Sequence, residues 1–415
     1  MNPKQQLRIL WLKTGPLHPL DTGGKIRTYN MLRQLKSRNE VHYLALSPEG
    51  TDQKILKLAG DYSQKQFWIP WKETSKRSPK FFLELAMNLF SRLPYVIVKY
   101  QSGKMADRIA ELDRFGNYDL IICDFLTPSI NLFQNGKTKT PVLLFQHNVE
   151  SVIWKRLFEK ASNPLKKTYF RNQWRRMLAF EKEASQKCDG VVAVSEEDAR
   201  LFREELVLNN VLGAVPTGVD VKFFSQVKGE RKTRSIVFLG SMDWMPNIDA
   251  VEFFASEIFP LVKQKYPETK FTIVGRNPPE KVRRLAAMDP DIHVTGTVDD
   301  VRPFVAEAEV MIVPLRVGGG TRIKIFEAMA SGIPVVSTAI GAEGLPVNHG
   351  EHILLADSPE DFSKCIGQLF ESSEQRELIG KNGLALVSEC FGWEAVNELF
   401  EDYCRQTCQS RKDQN

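Results

Sequence analysis

The segment from Val313 to Leu345 contains residues whose types and spacing suit the binding of an anion. A strand-like run is followed by three consecutive glycines, Gly318 to Gly320, and a helix is predicted to begin near Thr321. Arg322 and Lys324 fall in the first turn of that helix. Free backbone N–H groups, the helix dipole and two cations together make a strong site for a phosphate-like group.

Glu327 lies on the same predicted helix, three residues after Lys324. A carboxylate there can accept two hydrogen bonds from a diol such as the 2′ and 3′ hydroxyls of ribose. The loop from Gly341 to Leu345 follows the adjacent predicted strand, so we expect it to line the same cleft. The alternative is a flexible glycine loop capped by a solvated helix.

A second pair of glycines, Gly23 and Gly24, lies between the first predicted strand and the first predicted helix. Glycine lets the backbone approach a phosphate or an acceptor closely there, although an ordinary tight turn would explain the pair equally well. Lys25 and Arg27 follow directly and are candidates for contact with an acceptor.

Polar residues also end two apolar runs of the first half. His147 follows PVLLFQ and precedes Asn148, and Asp124 ends the run IICD. Asp124 could serve as a base or a nucleophile, or it could position neighbouring loops. A single histidine at a strand end is more often a capping or packing residue than a catalytic one.

Short β-branched runs alternate with helical patterns along almost the whole chain, which indicates repeated βαβ units. The runs of the first half are 7–12, 41–47, 66–71, 119–125, 141–148 and 189–195, and those of the second half are 235–242, 270–276, 292–298, 309–315 and 333–338. The sequence therefore predicts an α/β protein with two Rossmann-like, doubly wound parallel sheets facing a central cleft. Ligands are expected at the carboxyl ends of the strands.

A stretch rich in Pro, Gly and charged residues separates the two halves, as expected between domains. We predict an N-terminal domain over residues 1–215, a linker over 216–234 and a C-terminal domain over 235–390. A C-terminal helix over 391–408 is predicted to cross back to the first domain, followed by a frayed tail over 409–415.

The glycine-rich segment resembles the pattern of the family 4 retaining glycosyltransferases of GT-B fold. That pattern has two glutamates separated by seven residues, and then A-x-A-x-G-x-P-V-V. Glu327 matches the second glutamate and AMASGIPVV matches the rest of the pattern, whereas Gly319 stands where the first glutamate belongs. PTGVD (216–220) resembles the family's interdomain turn, and the similarity extends over roughly residues 7–405. GGGTRIKIFEAMA resembles a subgroup linked to bacterial exopolysaccharide and cell-surface sugar assembly.

The resemblance implies an enzyme that moves a sugar from a nucleoside diphosphate sugar to a glycan or lipid-linked acceptor. It implies acceptor binding by the first domain, donor binding by the second, and direct roles for His147, Arg322, Lys324 and Glu327. The implied donor-binding residues are Gly23, Gly24, Gly240, Gly275, Arg276, Thr297, Val298, Gly318, Gly319, Gly320, Thr321 and Glu327. The acceptor-side candidates are Lys25, Arg27, Asp124 and Asn148.

One departure from the family concerns the cations of the diphosphate site. The family's usual Arg and Lys after the first strand of the second domain are absent from residues 238–249, so we infer that Arg322 and Lys324 replace them. The resemblance implies front-face attack by the acceptor, with the leaving diphosphate accepting its proton. Because the histidines show no metal-ligand spacing, we predict activity in the presence of a chelator and no cofactor.

Two alternatives remain open. Gly319 in place of glutamate would suit a catalytically silent sugar-nucleotide sensor or assembly partner. A sugar-nucleotide epimerase of similar two-domain shape would need acid and base groups at the sugar and would act without an acceptor.

Composition narrows the class of protein. The chain has 415 residues, of which 42% are hydrophobic and 26% are charged, as in a globular protein with two domains. It has no apolar run of membrane-spanning length and no secretory leader pattern, so we expect a cytoplasmic location. The six cysteines are expected to be inert, with a redox or metal pair at Cys404 and Cys408 as the alternative.

Positive charge is concentrated in the first half. Residues 151–187 contain ten lysines or arginines against three acids, although the net charge of the chain is only +5. Together with the amphipathic stretch 76–104, this segment predicts contact with an anionic membrane surface, at the inner face of the cytoplasmic membrane. The alternative is a long solvated helix whose Trp154, Leu157 and Met177 pack inward with Trp174. No nucleic-acid-binding fold is indicated, so nucleic acid is not expected as a partner.

Overall fold

The computed structural model describes residues 6–75, 78–226, 229–317 and 323–413. The chain divides into two compact units. Unit 1 comprises Met1–Pro216 and Asn397–Asn415, and unit 2 comprises Thr217–Val396. The residues after Pro216 that we predicted as a linker therefore belong to unit 2.

Unit 1 is built on a parallel sheet of seven strands within the described residues, in the order β3-β2-β1-β4-β5-β6-β7. Its central strands are buried on both faces because their side chains are apolar at nearly every position. The strands are β1 (Arg8–Lys13), β2 (Glu40–Pro48), β3 (Lys65–Trp71), β4 (Leu120–Asp124), β5 (Val142–Phe145), β6 (Gly190–Ala193) and β7 (Val211–Ala214).

Unit 2 repeats this topology with the six strands that its described residues form, in the order β10-β9-β8-β11-β12-β13. The strands are β8 (Ser235–Leu239), β9 (Lys270–Val274), β10 (Ile292–Gly296), β11 (Val310–Val313), β12 (Val335–Ser337) and β13 (Leu354–Leu355). In both sheets the second and third strands lie on one side of the unit's first strand, and the later strands lie on its other side. Such a topological switch point is where open α/β sheets bind ligands, at the carboxyl ends of β1 and β4 and of β8 and β11.

Helices connect the strands of both sheets. In unit 1 they are α1 (Gly23–Arg38), α2 (Gln53–Lys57), α3 (Pro79–Asn88), α4 (Tyr95–Val98), α5 (Gly103–Phe115), α6 (Ser129–Leu132), α7 (Glu150–Lys160), α8 (Pro164–Lys187) and α9 (Glu196–Glu204). In unit 2 they are α10 (Val221–Ser225), α11 (Met245–Phe253), α12 (Phe259–Lys265), α13 (Glu280–Met288), α14 (Arg302–Glu307), α15 (Ile323–Ala330), α16 (Pro359–Glu371) and α17 (Ser373–Cys390). A 3₁₀ turn (Leu58–Asp61) follows α2, and a π-helical turn (Phe254–Ile258) joins α11 to α12.

The last helix, α18 (Trp393–Asp413), begins in unit 2 and continues in unit 1. Its side chains pack against the unit 1 sheet, where Phe400 contacts the rings of Trp11 and Phe145. The helix is longer than predicted, because residues 409–413, predicted as tail, are helical.

Two edge strands and one helix break are absent from the sequence prediction. β7 is short and contains a glycine, and β13 has only two residues, so neither forms a recognisable β-branched run. The basic segment 152–187 forms two helices rather than one, because Asn163 caps a new helix that begins at Pro164. Within the described part of the chain, no helix combines the length and apolarity needed to cross a bilayer.

Candidate functional site

One carboxylate connects three elements at the carboxyl edge of the unit 1 sheet. Asp124, the last residue of β4, has no solvent exposure. Its Oδ2 atom accepts hydrogen bonds from Lys13 Nζ at 2.6 Å, Thr28 Oγ1 at 2.8 Å and Trp11 Nε1 at 3.0 Å. Lys13 also donates to Thr28 at 3.0 Å. Asp124, predicted to face the acceptor, is therefore buried and hydrogen-bonded to its neighbours.

In this cluster, burial and pairing with an opposite charge shift the pKa values in opposite directions. Burial disfavours the charge of Asp124, but the charges of Lys13 and His147 outweigh it and hold the pKa of Asp124 below its usual range. Burial lowers the pKa of Lys13, although Asp124 opposes that shift. Burial also lowers the pKa of His147 to about 4, again against Asp124. The Lys13–Asp124 pair therefore lies beside an imidazole that is neutral at neutral pH.

His147 lies two residues beyond β5 and next to this pair. Its Nε2 atom is 2.8 Å from Asp124 Oδ1. The imidazole stacks on Phe125 with ring centroids 3.8 Å apart. A Cβ atom at Gly24 would lie 2.9 Å from Phe125 Cζ. The absence of a side chain at Gly24 thus lets α1 approach this aromatic ring.

The other predicted residues of unit 1 differ in exposure. Arg27 lies in the second turn of α1 and is only 4% exposed. Lys25 is partly exposed and donates to Asp21 at 2.9 Å. Gly23 and Asn148 are exposed.

The segment that carries His147 is held by a carboxylate from α8. Glu181 has no solvent exposure and accepts hydrogen bonds from the backbone N–H groups of Glu150 at 2.8 Å and Ser151 at 3.0 Å. These are the first amides of α7, which has no cap from its own N-cap residue, Val149. Burial raises the pKa of Glu181 to about 7, although the amide hydrogen bonds oppose it. Sequence reasoning missed Glu181 because its partners lie thirty residues away.

In unit 2, Lys324 reaches from α15 to the carboxyl end of β8. Its ammonium group donates to Asn247 Oδ1 at 2.6 Å and lies 4.5 Å from the ring centroid of Phe238. A Cβ atom at Gly240 would be 2.9 Å from Lys324 Nζ. Asn247 in turn donates to the carbonyl of Ser241 at 2.8 Å. Lys324 therefore brings positive charge to the β8 loop, where the sequence has no cation of its own. Asn247 was not predicted, since an asparagine in the first turn of a helix is an ordinary residue.

Glu327 lies one turn after Lys324 and is partly buried. Burial raises its pKa to about 7, and the charge of Lys324 only partly offsets this effect. Among the residues that the structure describes, none donates a hydrogen bond to this carboxylate. A ligand with hydroxyl groups would supply the missing donors.

The loops after β8 and β9 pack tightly together. A side chain at Gly275 would collide with the carbonyl of Gly240. Arg276 donates to Ser241 Oγ at 3.0 Å and lies 3.0 Å from a carboxylate oxygen of Asp243, so its charge is already paired.

The remaining predicted donor residues follow β10 or precede α15. Thr297 is exposed, and Val298 packs against the core of unit 2. Gly318–Gly320, Thr321 and Arg322 lie outside the described residues. Within the described ranges, no group of three His, Cys, Asp or Glu side chains could hold a metal ion.

Two family models together match most of both units. Residues 22–223 match the model described as Glycosyltransferase Family 4, and residues 233–372 match the model described as Glycosyl transferases group 1.

Individual relatives agree with these matches. Over 311 residues the chain is 24% identical to an uncharacterized 44.6 kDa protein in the cps region of Klebsiella pneumoniae, covering 72% of this chain and 78% of that protein. It is 31% identical over 227 residues to the phosphatidyl-myo-inositol mannosyltransferase of Mycobacterium tuberculosis, covering 51% of this chain and 58% of that enzyme. The chain thus spans less than two thirds of the second relative.

A solved structure shows the same fold. Anabaena HepE in complex with UDP and glucose superposes with a TM-score of 0.62 at 13% identity, over 96% of this chain and 99% of that chain. Both parallel-sheet units are therefore common to the two proteins.

We predict that Asp124→Asn lowers the free energy of unfolding by about 3–5 kcal/mol, because it leaves the Lys13 ammonium buried without a counter-charge. Thermal melting followed by circular dichroism measures the change. The matched control is Glu183→Gln, which breaks an exposed pair with Lys187 in the same unit and should cost less than about 1 kcal/mol. Equal effects of the two substitutions would contradict the central role of Asp124.

Proposed function

We propose, given that the chain belongs to the group 1 glycosyltransferases of family 4 and GT-B fold, that it transfers a hexose from a nucleoside diphosphate sugar to a glycan or lipid-linked acceptor. We propose further that the anomeric configuration is retained, that no metal is needed, and that the product is a cell-surface polysaccharide. The observation that carries the proposal is the ammonium group of Lys324 at the switch point of the unit 2 sheet, one turn before Glu327. The names of the polysaccharide-region and mannosyltransferase relatives support it.

In this proposal unit 2 holds the nucleotide. Lys324 contacts the diphosphate, and Arg322 supplies a second cation. Glu327 accepts hydrogen bonds from the two ribose hydroxyls, which favours its ionised form. Because Gly240 and Gly275 have no side chains, the diphosphate can approach the backbone of the loops after β8 and β9.

In unit 1, His147 contacts the transferred sugar as a neutral imidazole. Its low pKa means that it cannot serve as a general acid near neutral pH, so its role is to form a hydrogen bond with a sugar hydroxyl. Asp124 and Phe125 fix the position of the ring, because the carboxylate lies 2.8 Å from Nε2 and the phenyl ring stacks on the imidazole.

The reaction forms one bond and breaks one. The acceptor oxygen attacks the anomeric carbon, and the bond from that carbon to the diphosphate oxygen breaks on the same face. The acceptor proton passes to the leaving diphosphate. Lys324 stabilises the charge that develops on this leaving group, and such stabilisation is most effective where water is displaced.

The first test is a thermal-shift panel of UDP, GDP, ADP and dTDP sugars with EDTA present. We expect one nucleotide to stabilise the wild type, and Lys324→Ala to lose about 1.5–3 kcal/mol of binding free energy, because a charge-assisted contact to the diphosphate is removed.

Lys364→Ala is the matched control, since Lys364 is an exposed lysine of unit 2 that pairs with Asp361. Unchanged nucleotide affinity in Lys324→Ala would contradict the assigned diphosphate contact. Stabilisation of the wild type by none of the nucleotides would favour the silent assembly partner.

A second prediction concerns pH. Because the pKa of Glu327 is raised to about 7, the carboxyl is mostly protonated below that pH and cannot accept both ribose hydrogen bonds. Affinity for the donor sugar nucleotide should therefore rise about tenfold between about pH 6 and pH 8. Isothermal titration calorimetry measures it, and Glu327→Gln should bind more weakly with no such pH dependence. A pH dependence that persists in Glu327→Gln would assign the titration to another group.

We also propose that unit 1 contacts an anionic membrane at the inner face of the cytoplasmic membrane. The end of α3 and the turn after it form an apolar tip, defined here as residues 82–90. Phe90 at its end is 93% exposed, and its other large exposed side chains are Phe82, Leu83, Met87 and Leu89. Exposed cations lie nearby along the chain at Arg92 and on α8 at Lys166, Lys167, Arg171 and Arg175.

One arginine of the basic segment, Arg176, makes hydrogen bonds within unit 1 that the sequence did not predict. Arg176 donates to the carbonyls of Asn88 at 2.7 Å and Leu89 at 2.6 Å. Gln173, also on α8, donates to the side chain of Asn88 at 3.3 Å. α8 therefore holds the end of the apolar tip in place. The inward packing considered for apolar residues of the basic segment holds for Met177, which is buried, but not for Leu157, which is exposed.

We expect Phe90→Ser to weaken binding to phosphatidylglycerol vesicles by about 2 kcal/mol, because the burial of one phenyl ring in the bilayer is lost. Vesicle co-sedimentation measures it. Phe115→Ser is the matched control, because Phe115 is 70% exposed at the end of α5, outside the tip. The membrane proposal fails if the two substitutions have equal effects, or if Arg171→Glu with Arg175→Glu leaves binding intact.

A further inference from the structure

The N-terminus of α1 lacks the usual local partners. The helix has 16 residues, its N-cap residue Thr22 makes no side-chain hydrogen bond to it, and no acidic residue lies in its first turn. Its first amide groups and the helix dipole therefore favour an anion. Many helices begin without such partners. In α1, however, a buried arginine, Arg27, follows in the second turn.

Arg27 is a buried cation, and part of its guanidinium has no hydrogen-bond partner among the described residues. It is 4% exposed, and its Nε and Nη2 atoms are buried without a hydrogen-bond partner among the described residues. Burial lowers its pKa to about 10, with Asp124 and Asp198 opposing, so it stays charged at neutral pH. Leaving charged donors unpaired in the interior costs free energy unless a partner of opposite charge binds.

The groups around Arg27 are already engaged with other partners. Lys13 and His147 both contact Asp124, and neither contact involves the guanidinium of Arg27. Asp198 accepts from the hydroxyl of Ser195 at 2.9 Å. These groups lie at or shortly after the carboxyl ends of β1, β4, β5 and β6 and interact electrostatically with Arg27, so the guanidinium lies at the ligand-binding edge of the sheet.

We propose that Arg27 and the first turn of α1 bind an oxyanion, a phosphate or a carboxylate, carried by the acceptor. The inference rests on the proposed function in one respect, namely that unit 1 receives the acceptor. The donor diphosphate has its own cation in unit 2, Lys324. Arg27 therefore makes the enzyme selective for an acceptor with an anionic group near the reacting hydroxyl.

The test uses inorganic phosphate, D-glucuronate and D-glucose as probes in thermal melting. All proteins carry Lys324→Ala, which removes the proposed diphosphate contact of unit 2. Arg27→Gln is compared with Arg33→Gln, an exposed arginine of the same helix. General effects of salt on stability are equal in both variants, so the difference between them isolates the site.

We expect saturable stabilisation by phosphate, by glucuronate or by both, about tenfold weaker in Arg27→Gln and unchanged in Arg33→Gln. Phosphate alone would indicate a phosphorylated acceptor, and glucuronate alone an acidic sugar. Equal binding in the two variants, or binding of glucose that depends on Arg27, would overturn the proposal.

Two further measurements keep the result unambiguous. If Arg27→Gln does not fold, Arg27→Lys keeps the charge but loses the forked donors, and weaker phosphate binding is still expected. Donor affinity is measured in Arg27→Gln with Lys324 intact, and a loss there would assign Arg27 to the donor and overturn the acceptor site. If phosphate still binds to the wild type but no nucleotide stabilises it, the proposed function is contradicted and the oxyanion site is not.

Discussion

The buried pair of Lys13 and Asp124 determines the arrangement of the whole carboxyl edge of unit 1. The last residue of β1 and the last residue of β4 lie side by side at the switch point of the sheet, and α1 joins them through Thr28. Each charge is costly to bury and is stable only because the other is present. His147 lies against the same pair, and burial keeps its imidazole neutral, so this cluster sets the chemistry of the proposed sugar site.

Two buried carboxylates of unit 1 show how partners decide a pKa. Asp124 faces a lysine and a histidine, and its pKa lies below the usual range. Glu181 is equally buried but accepts hydrogen bonds from neutral donors, including the backbone amides of Glu150 and Ser151, and burial raises its pKa to about 7. The first therefore provides a fixed negative charge, whereas the second holds the start of α7, and with it the loop of His147, through neutral dipoles.

In unit 2 a long side chain brings a positive charge to the edge of the sheet. The loop after β8 contains no cation, and Lys324 extends from the neighbouring helix to reach it. Asn247 holds the ammonium group in place and is itself held by the carbonyl of Ser241. The positive charge at this sheet edge is therefore a property of the loop cluster rather than of one loop.

The sequence by itself determined the alternation of strands and helices, the two parallel sheets and the family, because these depend on local patterns and on one contiguous segment around Glu327. It also located the basic segment of unit 1. Only the tertiary structure decided what the side chains do. Short edge strands such as β13 become visible only when they pair. The cap from Glu181, the reach of Lys324 to Asn247 and the attachment of Arg176 to the apolar tip join residues that are 30 to 88 positions apart. Such contacts depend on the packing of whole elements, which spacing along a chain does not specify.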